Sequence, residues 1–248
     1  MKKHIKKLLS AVIAGIMLLS AVNVFADSSV TGDEEKLFAA LARLTELGIT
    51  AETSFVPSDT MTRSEMFGFA LRANPWYNDE VFAAAAAEKS LSFTDIDESH
   101  AAYGQLALME KLGLVKGDGN GKVRPDDAVT YDEAIAFLVR LTGYESRLDK
   151  KAGFPAGYWT LASESGITKG ITAITGGYAT ENDIIIMICN AMDIPLMVMS
   201  EYDAQTQETK YVISETRTLA TDIVKWEEEK NRNKINPSDE AVITNEIY

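Results

Sequence analysis

Polar residues alternate with glycines between Val115 and Ala134, a pattern that could form a calcium-binding loop. The stretch reads VKGDGNGKVRPDDAVTYDEA, with Asp118, Asn120 and Lys122 at alternate positions. An EF-hand loop that starts at Asp118 needs an oxygen ligand at its fifth position, a glycine at its sixth and a glutamate at its twelfth. Those positions hold Lys122, Val123 and Val129. Because too few oxygen ligands are left, we predict a structural loop, with no metal site and no cofactor.

Side chains for nucleophilic or acid–base catalysis are scarce. Beyond residue 26 the chain has a single histidine, His100, and a single cysteine, Cys189. Neither a Ser-His-Asp triad nor a zinc ligand set can be assembled from them. Cys189 lies in IIIMICNAM, which is typical of a small buried thiol, and His100 is expected at an exposed or capping position. No pair of carboxylates is singled out for glycoside hydrolysis, so we predict that the protein is not an enzyme.

The first 26 residues have the pattern of an export signal. A lysine-rich start precedes an apolar run from Leu8 to Val22, and Val24 and Ala26 are small residues at the positions that signal peptidase inspects. The run is short for a bilayer span, so we predict cleavage after Ala26 rather than a retained anchor. Cleavage removes four lysines and no acidic residue, which changes the formal charge from -13 to -17. Such an acidic chain is a poor match for nucleic acid or for an anionic membrane.

Three segments of the chain resemble one another. The segment LARLTELGITAETSFVPSDTMTRSEMFGFALR, which ends at Arg72, aligns with LALMEKLGLVKGDGNGKVRPDDAVTYDEAIAFLVR, which ends at Arg140. A weaker third copy, YWTLASESGITKGITAITGGYATENDIIIMICNAM, places Gly170 opposite Gly117. The spacing of apolar residues predicts a helix, a loop and a second helix in each copy.

The second helix of each copy is predicted to begin with a capping box. In this pattern a threonine accepts a hydrogen bond at the helix start, and an acidic residue three positions later bonds back to the threonine. The predicted helix-capping residues are Thr62, Glu65, Thr130, Glu133, Thr180 and Asp183. Because a cap stabilises a helix by about 1 kcal/mol whatever the protein does, these residues need no functional explanation.

At these residues the sequence resembles the S-layer homology repeat of Gram-positive surface proteins. The resemblance is carried by FTDIDESHAAYGQLALMEKLGLVKGDGNGKVRPDDAVTYDEA in the second copy, FVPSDTMTRSEM in the first, and GYWTLASESGITKG with NAMDIPLM in the third. It implies an all-α, mostly helical fold in which three repeats form a pseudo-threefold bundle. We expect these repeats at 33–82, 93–145 and 150–197. An irregular or partly β extension, flexible or truncated, is expected at 198–248.

The resemblance also implies a function. Family members are anchored non-covalently to secondary cell wall polysaccharide, often pyruvylated, which lies in grooves between repeats. The glycan-binding residues that it suggests are Arg63, Ser64, Asp95, Gly117 and Tyr131. The expected location is the wall or surface of a Gram-positive bacterium, with no membrane contact after signal cleavage. An alternative is a surface scaffold or adhesion protein whose repeats bind another protein, with Trp76, Tyr77 and Trp159 as candidate exposed aromatic residues.

Arg63 carries most of the functional interpretation. The family motif Thr-Arg-Ala-Glu is kept from Thr62 to Glu65, whereas Tyr131 and Glu181 replace its arginine in the other copies. A cation in the first helical turn opposes the helix dipole, and a guanidinium can bind a carboxylate through two parallel hydrogen bonds. We interpret Arg63 as a ligand contact; the open alternative is a solvated charge paired with Asp59. Arg140, at the far end of a helix, is expected to contribute little.

Overall fold

The fold is mostly helical, as predicted. A computed structural model describes residues 32–49, 60–72, 79–149 and 151–233. These ranges contain α1 (Gly32–Glu46), α2 (Arg63–Arg72), α3 (Asp79–Ala87), α4 (Tyr103–Lys111), α5 (Tyr131–Leu141), a 3-10 helix (Tyr144–Arg147), α6 (Ala156–Ser165), α7 (Glu181–Asp193), β1 (Met197–Asp203), β2 (Glu208–Ile213) and α8 (Leu219–Asn233). The predicted export signal, Asp59, Trp76 and Tyr77 lie outside the described residues.

Helices α5 and α7 lie at the centre of the apolar core. Eight of the eleven residues of α5 are buried, including Phe137 and Leu138. In α7 the run from Ile184 to Ile188 is buried as well. A helix that is apolar on most of its surface must be covered on several sides. Accordingly, α5 packs against α2, α6 and α7, and α1 covers another side of α7.

Three short segments meet where α2, α5 and α7 begin. Single β-bridges join Thr60 to Thr180, Thr62 to Ala128, and Thr130 to Tyr178. Each of the segments 60–62, 128–130 and 178–180 therefore pairs with the other two. Val129 and Ala179 are fully buried at this meeting point. The bridges bring together helix starts that are far apart in the sequence.

Helices α3 and α4 pack closely because a glycine lies between them. A Cβ atom at Gly104 would lie 2.3 Å from the backbone oxygen of Phe82. Val81 and Ala85 of α3 are buried. The sequence interpretation did not predict α3, which lies mostly between the first two expected repeats.

The segment after Met197 is more regular than we expected. Strands β1 and β2 form an antiparallel hairpin with a bulge between Met199 and Glu201. Helix α8 follows and packs on α7. Its buried residues are Leu219, Ala220, Ile223 and Trp226. The described part of the extension expected at 198–248 is thus partly β, and helix α8, which was not predicted, covers α7 with four apolar residues.

Candidate functional site

The predicted capping residues lie at the starts of α2, α5 and α7. At α2, the Glu65 N–H donates to Thr62 Oγ1 at 3.2 Å and the Thr62 N–H donates to Glu65 Oε2 at 2.9 Å. Thr130 and Glu133 make the same two bonds at α5. At α7, the Asp183 N–H donates to Thr180 Oγ1 at 3.2 Å. The Asp183 carboxylate also accepts a bond from outside its own helix start, from the Tyr131 hydroxyl.

Arg63 lies in what we call the first junction, where α2 meets the start of α5. Its side chain is only 5% exposed, and Nη1 lies 2.6 Å from Glu133 Oε1. Its Nε donates to the Val123 carbonyl at 2.8 Å. The guanidinium carbon lies 5.1 Å from the centroid of the Phe67 ring, which stacks in turn on Phe137. Arg63 therefore holds two helices and a loop together.

Arg124 brings a second cation to the same carboxylate. Its Nη2 contacts Glu133 Oε1, and its backbone has a φ of 49°, a left-handed conformation that is uncommon outside glycine. Burial raises the pKa of the Glu133 carboxyl, but the charges of Arg63 and Arg124 and the Thr130 N–H outweigh burial and lower that pKa overall. Arg124 Nη1 also lies 3.5 Å from an oxygen of Asp127, so the two guanidinium groups face two carboxylates.

These contacts give Arg63 a structural role that was not predicted from the sequence. It is not a solvated charge, since its side chain is buried against Phe67 and Glu133. Burial lowers the pKa of the Arg63 guanidinium, and the nearby Glu133 charge offsets only part of that effect. The helix-dipole argument failed because a carboxylate from another helix, 70 positions away in the sequence, compensates the cation. A contact between Arg63 and glycan stays a prediction.

Asp95 and Gly117 give the loop between α4 and α5 its shape. The two Asp95 oxygens accept the N–H groups of Val123 at 2.9 Å and Arg124 at 2.8 Å. Burial raises the pKa of Asp95, but these two bonds outweigh it and the pKa is lowered. Gly117 has a φ of 64°, and a Cβ atom there would lie 2.6 Å from the Phe93 ring. Both predicted glycan-binding residues thus have structural roles in this loop.

In the loop that resembles a calcium site, Asp118 stabilises a turn. Its carboxylate accepts the Asn120 N–H at 2.8 Å and the Lys122 N–H at 3.2 Å. Within the described ranges, the structure has no group of three or more His, Cys, Asp or Glu side chains that could hold a metal ion.

Ser64 and Tyr131 lie at different junctions. The Ser64 N–H donates to the Pro125 carbonyl at 3.0 Å, so Ser64 joins Arg63 and Asp95 around the loop segment 123–127. Tyr131 belongs to a second junction, where α5 meets the start of α7 and its hydroxyl contacts Asp183. The structure therefore brings four of the five suggested glycan-binding residues to one loop and separates Tyr131 from them.

His100, Cys189 and Trp159 have structural surroundings. His100 Nδ1 accepts the Ala102 N–H at 3.0 Å near the start of α4, and its Nε2 lies 3.1 Å from an oxygen of Asp126. Cys189 is half-buried, and burial raises the pKa of its thiol. Trp159 packs against the core, and its Nε1–H donates to Asp132 Oδ1 at 2.6 Å. Trp159 is thus part of the fold rather than an exposed docking residue.

The sequence interpretation missed a polar cluster where α5 ends and α6 begins. Arg140 Nε donates to Glu145 Oε1 at 3.0 Å, and Arg140 Nη2 donates to the Tyr158 hydroxyl at 3.1 Å. Lys116 Nζ lies 2.8 Å from the same Glu145 oxygen. Arg140 therefore has a structural role, and its expected small contribution to glycan binding stays a prediction. The signal in the sequence was weak, because these residues are spread over about 40 positions.

One segment of the chain matches a known protein family. Residues 92–135 match the model of the S-layer homology domain. This match confirms the resemblance for the second copy; the other two copies stay predictions. The matched S-layer homology segment contains Asp95, α4, the loop with Gly117, and the first residues of α5, including Glu133.

Three curated relatives cover most of the chain. It is 31% identical over 202 residues, 79% of its length, to a protein named "Cell surface protein" from Thermoanaerobacter kivui. It is 28% identical, over 79% of its length, to "Middle cell wall protein" from Brevibacillus brevis. It is 27% identical, over 93% of its length, to "Surface layer protein" from Brevibacillus choshinensis. The chain spans 26%, 19% and 21% of the lengths of these relatives.

Among the described residues, no helix is both long and apolar enough to cross a bilayer.

Proposed function

We propose that this chain is an exported surface protein that attaches non-covalently to secondary cell wall polysaccharide of a Gram-positive bacterium. The observation that carries the proposal is the S-layer homology match over residues 92–135. The names of the three relatives, a surface protein, a wall protein and a surface layer protein, support it. None of these names denotes an enzyme, and we propose a binding role without catalysis.

The proposal includes a pseudo-threefold arrangement of repeats at 33–82, 93–145 and 150–197. It is supported by the three capped helix starts and by the three segments that pair with one another through Thr62, Thr130 and Tyr178. Each helix pair has a buried face that its neighbours cover, so single repeats should not fold alone.

The first junction is the groove that we propose for glycan. Arg63 and Arg124 share Glu133, and guanidinium groups can donate to an anionic group such as a pyruvyl carboxylate. Because the whole chain has a formal charge of -13, attraction must be local rather than long-range. Asp95, Gly117 and Ser64 hold the loop that borders these guanidinium groups.

Co-sedimentation of the mature protein with purified walls tests the proposal. We expect binding to native walls and loss of binding when the secondary polysaccharide has been extracted. Equal binding to both preparations would point to another wall component. No binding to either would favour the alternative, a scaffold or adhesion protein whose repeats bind protein.

The Arg63→Lys variant tests the groove. A lysine keeps the charge but loses the planar fork of donors, so we expect weaker wall binding. Because Arg63 is buried, the melting temperature of the variant must be measured together with its wall binding. Arg43→Lys is the matched control, since Arg43 pairs with Asp193 on the surface, away from this junction. Arg140 is unsuitable as a control because it holds Glu145 and Tyr158.

A further inference from the structure

A group of side chains between α5 and α6 combines a fixed base with an exposed rim. We call Lys116, Arg140, Glu145, Phe154 and Tyr158 the Glu145 cluster. The first junction does not include any of these residues. Gly117 follows Lys116 directly in the sequence, so the cluster borders the loop between α4 and α5.

Arg140 and Tyr158 form the fixed base. The three guanidinium nitrogens of Arg140 donate to Glu145, to the Leu114 carbonyl and to the Tyr158 hydroxyl. The guanidinium carbon also lies 5.0 Å from the centroid of the Tyr158 ring. The Tyr158 hydroxyl donates in turn to Glu145. These bonds fix the positions of the inner side chains before any ligand arrives.

Lys116 and Phe154 form the exposed rim. The Lys116 side chain is 54% exposed, and its ammonium group contacts the Glu145 oxygens at 2.8 and 3.0 Å. An ammonium group has three donors, so Glu145 can accept only part of its hydrogen-bonding capacity. Phe154 is 58% exposed, and its ring meets the Tyr158 ring edge to face at 6.0 Å between centroids. An apolar ring and an ammonium group are thus presented to solvent around one fixed centre.

The charge of the cluster suits an anion. Lys116 and Arg140 carry two positive charges against the single negative charge of Glu145. The whole chain is acidic, with a formal charge of -13, so this local excess is opposite in sign to the net charge of the chain. At physiological ionic strength charges are screened beyond about 8 Å, so an anionic group in contact responds mainly to the cluster.

We propose that the Glu145 cluster binds an anionic saccharide, with a sugar ring packed on Phe154 and its acidic group on Lys116. The C–H bonds of a sugar ring pack against the electron-rich face of an aromatic ring, and the ammonium group pairs with a carboxylate or phosphate. This inference rests on the proposed function, because the saccharide is taken to be part of the wall polysaccharide. It gives the chain a second contact, separate from Arg63.

Phe154→Ala and Lys116→Gln test the rim, with co-sedimentation on native purified walls as the measurement. Phe38→Ala and Lys111→Gln are matched controls, since Phe38 is 51% exposed on α1 and Lys111 is a 60% exposed lysine that pairs with Glu88. We expect each rim variant to bind about fivefold more weakly and each control to bind like the unmodified protein. Lys116→Gln should also lessen the salt dependence of binding, which a packing defect would not do.

The outcomes separate this inference from the proposed function. If the unmodified protein binds native walls and both rim variants bind equally well, the Glu145 cluster is not a saccharide site, while the wall-attachment proposal stands. If the unmodified protein binds neither native nor extracted walls, the proposed function fails and this inference fails with it. Melting temperatures within a degree or two of the unmodified protein would show that weaker binding is not a folding defect.

Discussion

The two junctions use the same helix-start design with different chemistry. At the first, the residue after the Thr62 cap is Arg63, which pairs with the acidic box residue Glu133 of α5. At the second, the residue after the Thr130 cap is Tyr131, whose hydroxyl contacts the acidic box residue Asp183 of α7. The two residues occupy corresponding positions and contact corresponding partners. The first junction has a buried ion pair, whereas the second has a hydrogen bond from a neutral hydroxyl.

The difference shows that one backbone arrangement tolerates two kinds of contact with different costs. A buried ion pair loses the hydration of both charges, and its attraction repays this only when the geometry is good. A phenol that donates to a carboxylate desolvates only one charged group. The first junction should therefore be more sensitive to the loss of one partner.

The largest effect is expected from Arg63→Ala. It leaves the Glu133 carboxylate half-buried with Arg124 as its remaining guanidinium partner, so we expect a loss of about 3 kcal/mol in the free energy of unfolding. Urea denaturation measures it. Arg43→Ala, at an exposed pair with Asp193, is the control and should cost less than about 1 kcal/mol. Equal losses at the two sites would contradict the structural role of Arg63.

The next largest difference in stability is expected between alanine substitutions at Gly117 and at Gly170, the corresponding glycine of the third copy. Gly117→Ala places a Cβ atom 2.6 Å from the Phe93 ring and 2.8 Å from the Lys122 carbonyl, at a φ of 64°. Gly170→Ala has a similar φ of 84°, but the nearest atom is 3.5 Å away in the Lys36 side chain. We expect about 2 kcal/mol or more at Gly117 and about 1 kcal/mol at Gly170, from the left-handed backbone alone. Thermal melting of both variants compares them.

Tyr131→Phe tests the neutral junction. It removes the hydroxyl that donates to Asp183 and keeps the ring, so we expect a loss of about 1 kcal/mol. Denaturant unfolding gives the value, with Tyr178→Phe as the control because Tyr178 is 66% exposed. A loss as large as that of Arg63→Ala would mean that the two junctions are equivalent after all.

The two junctions should weaken at opposite ends of the pH scale. The pKa of Glu133 is lowered in the folded state, so its contribution to stability is present above its ordinary pKa of about 4.3 and is lost as the pH falls through the folded value. Burial and the Asp183 contact raise the pKa of Tyr131, so its contribution is present below about pH 10 and is lost as the pH rises through the folded value. Unfolding free energies should change little near neutrality.

Two variants test which residue causes the loss of stability at low pH and at high pH. Glu133→Gln should flatten the acidic limb of the stability curve and leave the alkaline limb, and Tyr131→Phe should do the reverse. An unchanged acidic limb in Glu133→Gln would show that other carboxylates dominate acid unfolding.

The smallest expected effect is that of calcium on the loop of the first junction. The Asp118 carboxylate already accepts two backbone N–H groups, and Lys122 and Val129 occupy positions where a calcium loop needs oxygen. We expect no change in melting temperature when calcium is added. A saturable rise that Asp118→Ala abolishes would show that the loop binds the ion.

Much of the local structure could be predicted from the sequence by itself. The helix starts at Thr62, Thr130 and Thr180 were readable because the bonds of a cap join residues only three positions apart. Helix α8 was not predicted because its few apolar residues are separated by charged residues in the sequence. These apolar residues become buried only because they pack on α7.

Tertiary structure alone decided what the charged residues of the candidate site do. In the sequence Arg63 stands beside Asp59, with no sign of Glu133, yet the fold buries its guanidinium against that carboxylate and against Phe67. Likewise Lys116 and Glu145, 29 positions apart, become neighbours only when the loop after α4 meets the 3-10 helix that follows α5. The cost of burying a charge and the partner that offsets it both depend on contacts between distant segments, and local sequence patterns do not encode them.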